Sequence, residues 1–280
     1  MNIYVAKNSG FCFGVKRALK KAYELADQEE NVIYTYGPLI HNKQVISKLE
    51  DLNVKSVDSV EEAGNSTLII RSHGIPLNIY DDAEKNNIEI LDATCPFVRR
   101  VQEIAKEYHD KGYEIVIIGN PKHPEVIGIN GWCNNKAYII EEIDQVREMP
   151  FIDKMCVVAQ TTITFEKWNN VIQELSNKSN NIREFNTICA ATKSRQEASA
   201  EIAKKVEAMV VIGGYHSSNT QKLFKICKNF CHNSIHIETA DELPLDMLDD
   251  INDIGITAGA STPDWIINDV IKKIENKGGD

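Results

Sequence analysis

Short apolar runs alternate with amphipathic stretches along almost the whole chain. The apolar runs are rich in Val and Ile, as in Glu114–Ile118 and Lys154–Ala159, and their lengths are typical of β-strands. Between them, apolar residues recur at helical spacing, as Leu19 and Ala22 do within the predicted helix Val15–Ala26. Strands that alternate with helices through short polar links predict an α/β fold with mainly parallel sheets.

One pattern occurs three times in the chain: a strand, a short polar turn, a single cysteine and the basic start of a helix. The three cysteines are Cys12, Cys95 and Cys189. The residue four positions after each cysteine is basic: Lys16, Arg99 and Lys193. From each cysteine to the histidine after the next strand the gaps are 29, 28 and 27 residues (12 to 41, 95 to 123, 189 to 216). This regularity indicates an internal repeat.

The repeat predicts three similar α/β domains. Their expected boundaries are 14–95, 96–189, and 190–280 together with 1–13. The third unit has no strand of its own before a cysteine, so the N-terminal strand is expected to complete its sheet. Arranged as a pseudo-threefold trefoil, the three units would bring the three cysteines to one centre.

Composition and charge narrow the class of protein. With 42% hydrophobic and 26% charged residues, the chain of 280 residues is typical of a folded globular protein. It contains no apolar run of the ~18 residues that a membrane span needs, and its start does not resemble a signal peptide. We therefore expect a cytoplasmic protein without a membrane partner. A net charge of −10 argues against nucleic acid as a partner.

Seven cysteines in a cytoplasmic protein suggest metal binding or redox chemistry rather than disulfides. Three thiolates that meet at one centre suit zinc or an iron–sulfur cluster. In a cluster of four irons, three cysteines leave one iron without a protein ligand, which can act as a Lewis acid. The basic residues after the cysteines would offset the negative charge of such a centre. The alternative is that the cysteines are small buried residues and the cations are solvated.

Polar side chains gather after the predicted strands, where parallel sheets collect their ligands. Histidines and residues that precede predicted helices suit a phosphate or diphosphate, because the first N–H groups of a helix favour anions. The candidate donors are His41, His73, His123, Ser217, Ser218, Asn219 and Ser261. The alternative for the serines and Asn219 is simple helix capping. A nucleotide triphosphatase is not indicated, because the chain has no G-x-x-x-x-G-K-[ST] loop.

Glu125 is a carboxylic acid among these strand-end residues. Beside an anion pocket it suits a proton donor, because neighbouring negative charge favours its protonated form. Thr161, at an equivalent strand end, could hold a water or hydroxyl in the same relay. The alternative for Glu125 is a surface acid in the first turn of a helix.

A second set of residues has a spacing that resembles a zinc site: Cys227, Cys231, His232 and His236. A helix over Gln221–Phe230 would place Cys227 and Cys231 one turn apart on its buried face. Structural zinc sites more often use a tighter C-x2-C spacing. Cys133 and Cys156 show no partner pattern and are expected to be ordinary thiols.

Several motifs together resemble the 4-hydroxy-3-methylbut-2-enyl diphosphate reductase (LytB/IspH) family over residues 3–265. The motifs are Gly10-Phe11-Cys12-Phe13-Gly14-Val15, Asp92-Ala93-Thr94-Cys95-Pro96, His123-Pro124-Glu125-Val126, Gln160-Thr161-Thr162, Thr187-Ile188-Cys189 and Ser217-Ser218-Asn219. The resemblance implies a trefoil of three α/β domains around one [4Fe–4S] cluster per chain, held by Cys12, Cys95 and Cys189, with one iron not ligated by protein.

The resemblance also implies a reaction and its residues. It is the last step of the methylerythritol phosphate route, in which the hydroxyl of an allylic diphosphate is reductively removed to give isopentenyl and dimethylallyl diphosphates. Glu125, Thr161 and His123 would be catalytic. The diphosphate would be bound by His41, His73, His123, Thr161, Ser217, Ser218, Asn219 and Ser261. Electrons would come from ferredoxin or flavodoxin, because the sequence shows no flavin or nicotinamide motif.

Two other functions fit parts of the sequence. A redox-neutral iron–sulfur hydro-lyase would use the open iron only as a Lewis acid. A non-enzymatic zinc-binding or phosphate-binding protein would use the Cys227–His236 set. His216 follows the same spacing as His41 and His123, but no binding role is predicted for it.

Overall fold

The computed structural model describes residues 1–29 and 31–278, whose strands alternate with helices. In chain order the strands are β1 (Asn2–Val5), β2 (Ile33–Tyr36), β3 (Val54–Val57), β4 (Leu68–Ile70), β5 (Ile90–Asp92), β6 (Glu114–Ile118), β7 (Tyr138–Ile140), β8 (Lys154–Ala159), β9 (Asn181–Glu184), β10 (Ala208–Ile212), β11 (Ser234–Ile237) and β12 (Asp253–Ala258). The helices are α1 (Phe13–Ala26), α2 (Lys43–Glu50), α3 (Leu77–Lys85), α4 (Pro96–Asp110), α5 (Pro124–Gly131), α6 (Asp144–Glu148), α7 (Phe165–Leu175), α8 (Ala190–Ala203), α9 (Ser218–Phe230) and α10 (Asp264–Gly278).

The chain divides into two compact units. The first unit comprises Met1–Lys16, Ile40–Ser47 and Ala190–Asp280, and the second comprises Arg17–Leu39 and Lys48–Cys189. The domain boundaries 14–95, 96–189 and 190–280 plus 1–13 stay a prediction.

The first unit is built on one parallel sheet in the order β1-β12-β10-β11. The N-terminal strand pairs with β12 from Asn2 opposite Asp253 to Val5 opposite Ile256. Val210 and Ile256 on the central strands pack with Val270 and Ile274 of α10 in a fully buried apolar cluster. The first strand of the chain therefore completes this sheet as one of its edges, beside the last strand of the chain.

The second unit holds two parallel sheets, in the orders β3-β2-β4-β5 and β7-β6-β8-β9. Their inner strands are apolar on both faces, as at Leu68–Ile70 and Val157–Ala159, which are buried throughout. Such continuous apolar strands are typical of parallel sheets that are covered on both sides.

All three sheets share one topology. If β10, β11, β12 and β1 are counted as the four strands of the first unit's sheet, each sheet reads second-first-third-fourth. The three cysteines of the sequence repeat each follow the fourth strand, β1, β5 or β9. The α/β class with mainly parallel sheets, and the repeat behind it, are confirmed.

Two helices differ from the sequence-based expectation. The sequence pattern alone predicts a helix from about Gln196 to Glu207, whereas α8 begins at Ala190, directly after Cys189, and ends at Ala203. Its small and polar residues hide the apolar pattern that would have located its start. The helix α5 was not predicted because Gly128 and Gly131 are poor helix formers.

Within residues 1–29 and 31–278, no helix combines the length and the apolar character that crossing a membrane requires.

Candidate active site

The same backbone hydrogen bond holds each cysteine of the repeat. The N–H of each cysteine donates to the carbonyl of the residue that lies two positions after the third strand of its sheet, which is β12, β4 or β8. The pairs are Cys12 to Ala260 (3.0 Å), Cys95 to Ser72 (3.0 Å) and Cys189 to Thr161 (3.1 Å). Each thiol is therefore fixed at the carboxyl edge of its own sheet by repeat-equivalent geometry.

These three thiols differ from the other cysteines in their surroundings. Cys12, Cys95 and Cys189 are half-buried, whereas Cys133, Cys156, Cys227 and Cys231 are buried. Burial raises the pKa of the Cys133 thiol to about 11, and those of the Cys156 and Cys227 thiols to about 12. These three buried thiols stay protonated at neutral pH, and a metal ligand must be a thiolate.

Glu125 and Thr161 form a buried hydrogen-bonded pair in the second unit. Glu125 lies in the first turn of α5 and is 2% exposed. The backbone N–H of Thr161 lies 2.6 Å from Oε1 of Glu125, and Oγ1 of Thr161 lies 2.8 Å from Oε2. The alternative of a solvated surface acid is wrong, because Glu125 is buried. A carboxylate this deeply buried needs hydrogen-bond partners, and Thr161 supplies them.

His123 begins α5 and caps its N-terminus. Its Nδ1 accepts a hydrogen bond from the backbone N–H of Glu125 at 3.2 Å. An accepting Nδ1 places the proton of a neutral imidazole on Nε2, which makes Nε2 a donor. The ring of His73 lies edge-on to it, with 5.5 Å between the ring centroids. The second unit therefore brings together His73, His123, Glu125 and Thr161.

In the first unit, Ser217, Ser218 and Asn219 surround the N-terminus of α9. Oγ of Ser217 accepts from the backbone N–H of Thr220 at 3.3 Å, so Ser217 is an N-cap. Oγ of Ser218 accepts from Nζ of Lys222 at 2.8 Å. Asn219 is 5% exposed, and neither Oδ1 nor Nδ2 has a hydrogen-bond partner among the described residues. Capping therefore explains Ser217 but does not explain Asn219.

His41 and Ser261 also meet within the first unit. Oγ of Ser261 donates to the carbonyl of His41 at 3.0 Å. A Cβ at Gly214 would lie 2.7 Å from the same carbonyl oxygen, so the loop after β10 needs a glycine there. The loops after β10 and β12 thus both contact His41, which places His41, Ser261 and the start of α9 at one edge of the sheet. His216 is exposed.

Arg99 contacts an acidic and two aromatic side chains near the turn that carries Cys95. Its guanidinium forms an ion pair with Asp92 and donates to the hydroxyl of Tyr80 at 2.6 Å. It also lies over the ring of Trp132, 4.8 Å from the centroid. Burial would raise the pKa of Asp92, but hydrogen bonds from Thr94 and the charge of Arg99 hold it below the usual value. Asp92 therefore balances the charge of Arg99, and this ion pair holds the turn that carries Cys95 in place.

The geometry offers no support for zinc at the Cys227–His236 set. Cys227 and Cys231 pack in an apolar cluster with Met209, Val211 and Leu223. Nε2 of His236 lies 2.8 Å from the carbonyl of Gly213, and His232 is exposed. Among the described residues, these four side chains do not gather as a group of metal ligands.

Sequence reasoning assigned no role to two buried amides near the strand ends. Gln160 is fully buried, accepts from the backbone N–H of Asn120 at 3.1 Å and donates to Oγ1 of Thr162 at 2.8 Å. Asn42 caps the N-terminus of α2 through Oδ1, which accepts from the N–H of Val45 at 2.9 Å. An asparagine directly before a helical pattern is a recognised N-cap signal, and that signal was available for Asn42.

Three repeat-equivalent parallel sheets, each followed by a half-buried thiol, define an α/β protein with a repeated thiol-bearing edge. Comparison with known families makes the assignment specific, because a family model described as "LytB protein" matches residues 3–275. The chain belongs to this family, as the sequence motifs predicted.

Relatives and solved structures agree with this assignment. The 4-hydroxy-3-methylbut-2-enyl diphosphate reductase of Alkaliphilus oremlandii is 51% identical over 99% of this chain and 100% of its own length. The protein of the same name from Clostridioides difficile is 50% identical over 99% of this chain and 100% of its own length.

Two solved structures share the fold. One is an (E)-4-hydroxy-3-methyl-but-2-enyl diphosphate reductase, described as the terminal enzyme of the non-mevalonate pathway. It is 40% identical, covers 99% of this chain and 100% of its own, and has a TM-score of 0.73. The other is the E-1-hydroxy-2-methyl-but-2-enyl-4-diphosphate reductase from Plasmodium falciparum, 29% identical over 96% of this chain and 86% of its own, with a TM-score of 0.92.

Proposed function

We propose that this chain is an oxidoreductase that converts (E)-4-hydroxy-3-methylbut-2-enyl diphosphate to isopentenyl and dimethylallyl diphosphates. The reaction takes up two electrons and two protons, and the hydroxyl group leaves as water. The observation that carries the proposal is the set of three repeat-equivalent thiols, each held by the same backbone hydrogen bond at a strand end. Membership of the LytB family gives that set its chemical context.

Cys12, Cys95 and Cys189 would hold one [4Fe–4S] cluster per chain, with one iron not ligated by protein. The donor set fits, because these are the half-buried thiols of the chain and thiolates are the usual ligands of such clusters. When bound, the cluster supplies electrons and a Lewis-acidic iron for removal of a hydroxyl group.

The residues that we assign to binding the diphosphate are His41, His73, His123, Thr161, Ser217, Ser218, Asn219 and Ser261. Asn219 gives the most direct support, since a buried amide without partners among the described residues costs free energy until a ligand satisfies it. The proton on Nε2 of His123 can donate to a phosphate oxygen.

Glu125 and Thr161 are assigned to proton delivery, with His123 as the third catalytic residue. A proton on Oε2 of Glu125 can pass to Oγ1 of Thr161 across their 2.8 Å contact, and Thr161 can pass its own proton on. The N–H of Thr161 meanwhile holds Oε1 in place at 2.6 Å. His123 orients the pair, because its ring caps the helix turn that carries Glu125.

Ferredoxin or flavodoxin is the proposed electron donor, and the cytoplasm is the proposed location. The seven cysteines support a reducing compartment, since no disulfide joins any two of them among the described residues.

A product assay with and without an electron source tests the proposal. Holoenzyme with the hydroxylated allylic diphosphate and a strong chemical reductant is expected to release both isopentenyl and dimethylallyl diphosphates. Without reductant we expect no conversion, because two electrons are required for each hydroxyl removed. Conversion without reductant, to a product at the same oxidation level, would instead identify a redox-neutral hydro-lyase.

A further inference from the structure

Asn42 has a side-chain donor that the fold leaves unused. The residue is 3% exposed and directly precedes α2. Its Oδ1 accepts from the backbone N–H of Val45, and this bond identifies which end of the amide is the oxygen. Nδ2 is buried and has no partner within the part of the chain that the structure describes. Leaving a buried N–H donor unpaired is unfavourable, so a partner is expected in the working protein.

The surroundings of Asn42 indicate what kind of partner this is. Because Oδ1 is bonded to the first turn of α2, Nδ2 also lies beside that helix N-terminus, where unpaired N–H groups favour an anion. The adjacent His41 is tied to Ser261 and packs against Gly214 through its carbonyl. Asn42 therefore directly follows a residue whose carbonyl contacts two strand-end loops of the first unit. The same unit holds Asn219, another buried amide without partners among the described residues.

We propose that Nδ2 of Asn42 is an additional donor to the diphosphate group of the substrate. The inference rests on the proposed function, and it adds one residue to the diphosphate-binding residues proposed there. The cap fixes the amide before the substrate arrives, so little side-chain freedom is lost on binding. A phosphate oxygen, as an anionic acceptor, makes a stronger bond to Nδ2 than water does.

Two substitutions separate the donor from the cap. Asn42→Asp keeps an oxygen on the N–H of Val45 but replaces the donor with a negative charge. Asn42→Ser also caps a helix, but it removes the amide nitrogen and shortens the side chain. The matched control is Asn130→Asp, because Oδ1 of Asn130 likewise accepts a backbone N–H, that of Ala137 at 3.0 Å.

The readouts are calorimetric binding of inorganic diphosphate to the holoenzyme, the KM and kcat of the substrate, and the melting temperature. We expect Asn42→Ser to weaken diphosphate binding by about tenfold and Asn42→Asp by about a hundredfold. KM should rise with the dissociation constant while kcat changes much less. Melting temperature should hold in the Ser variant, since serine is also a good N-cap, and should fall in the Asp variant, because its second carboxylate oxygen is buried without a partner. Asn130→Asp should bind diphosphate like the wild type.

The outcomes distinguish this inference from the proposed function. If the wild type neither binds diphosphate nor reduces the substrate, the proposed function fails. If the wild type does both and each of the two Asn42 variants binds diphosphate as tightly as the wild type, water is the partner of Nδ2 and the inference is overturned. If only Asn42→Asp loses binding, the effect comes from the added charge and the donor role is also overturned.

Discussion

The chemistry assigned to Glu125 follows from how its carboxylate is buried. Both oxygens are bonded to one residue, Thr161, through the backbone N–H and the hydroxyl. The backbone bond fixes the position of the carboxylate, and the hydroxyl bond gives a proton a route out of it. The position of Glu125 at a strand end was predictable from the sequence. Its burial was not, because the acid lies in the first turn of a helix that two glycines disguise.

Glu125→Gln is expected to lower kcat by about 10²–10⁴-fold, because glutamine keeps the shape of the side chain but cannot deliver a proton. Iron content and substrate binding should stay close to wild type. Steady-state and single-turnover rates, together with the visible spectrum, measure both effects. The control is Glu166→Gln, since Glu166 is an exposed acid in the first turn of α7. Turnover near the wild-type rate would remove Glu125 from the proton path.

The helix α5 shows how an element can be positioned by residues that weaken its own propensity. Gly131 approaches Pro76 so closely that an added Cβ would lie 2.7 Å from Cα of Pro76. An added Cβ at Gly128 would lie 3.1 Å from Nε2 of Gln102, a fully buried amide of α4. The two glycines therefore let α5, with His123 and Glu125 at its start, pack closely against its neighbours.

Gly131→Ala is expected to destabilise the protein by about 1–2 kcal/mol. Overpacking against the rigid ring of Pro76 costs about 1–3 kcal/mol, and the better helix propensity of alanine returns about 0.5–1 kcal/mol. Ile127→Ala is the control in the same helix, because Ile127 is 44% exposed and its loss should change stability by less than about 0.5 kcal/mol. Urea denaturation measures both, and equal midpoints for the two variants would contradict the packing argument.

At the element scale, predictability depended on the strength of the local pattern. Strands such as Glu114–Ile118 and Lys154–Ala159 were located to the residue, because they are apolar, β-branched runs between polar turns. The starts of α8 and α5 were missed, since their small residues and glycines are accommodated by tertiary packing that a local pattern does not show. The same holds for the ion pair between Arg99 and Asp92, which depends on the neighbouring rings of Tyr80 and Trp132.

For the whole molecule, the repeat carried more information than any single motif. The nearly equal spacing from cysteine to histidine predicted three equivalent units, and the three sheets have the same strand order. It also predicted that the N-terminal strand joins the last sheet, where it pairs with β12. It stays a prediction that Cys12, Cys95 and Cys189 share one inorganic centre. What the structure gives for each cysteine is its backbone hydrogen bond within its own unit.

Metal and sulfide analysis after anaerobic purification tests that shared centre most directly. The wild type is expected to contain about four irons and four sulfides per chain, with the broad visible absorption of a cluster. Cys95→Ser should lose most of both, whereas Cys231→Ala, a change at a buried thiol in an apolar cluster, should keep them. Zinc without iron or sulfide in the wild type, or a full cluster in Cys95→Ser, would contradict the account.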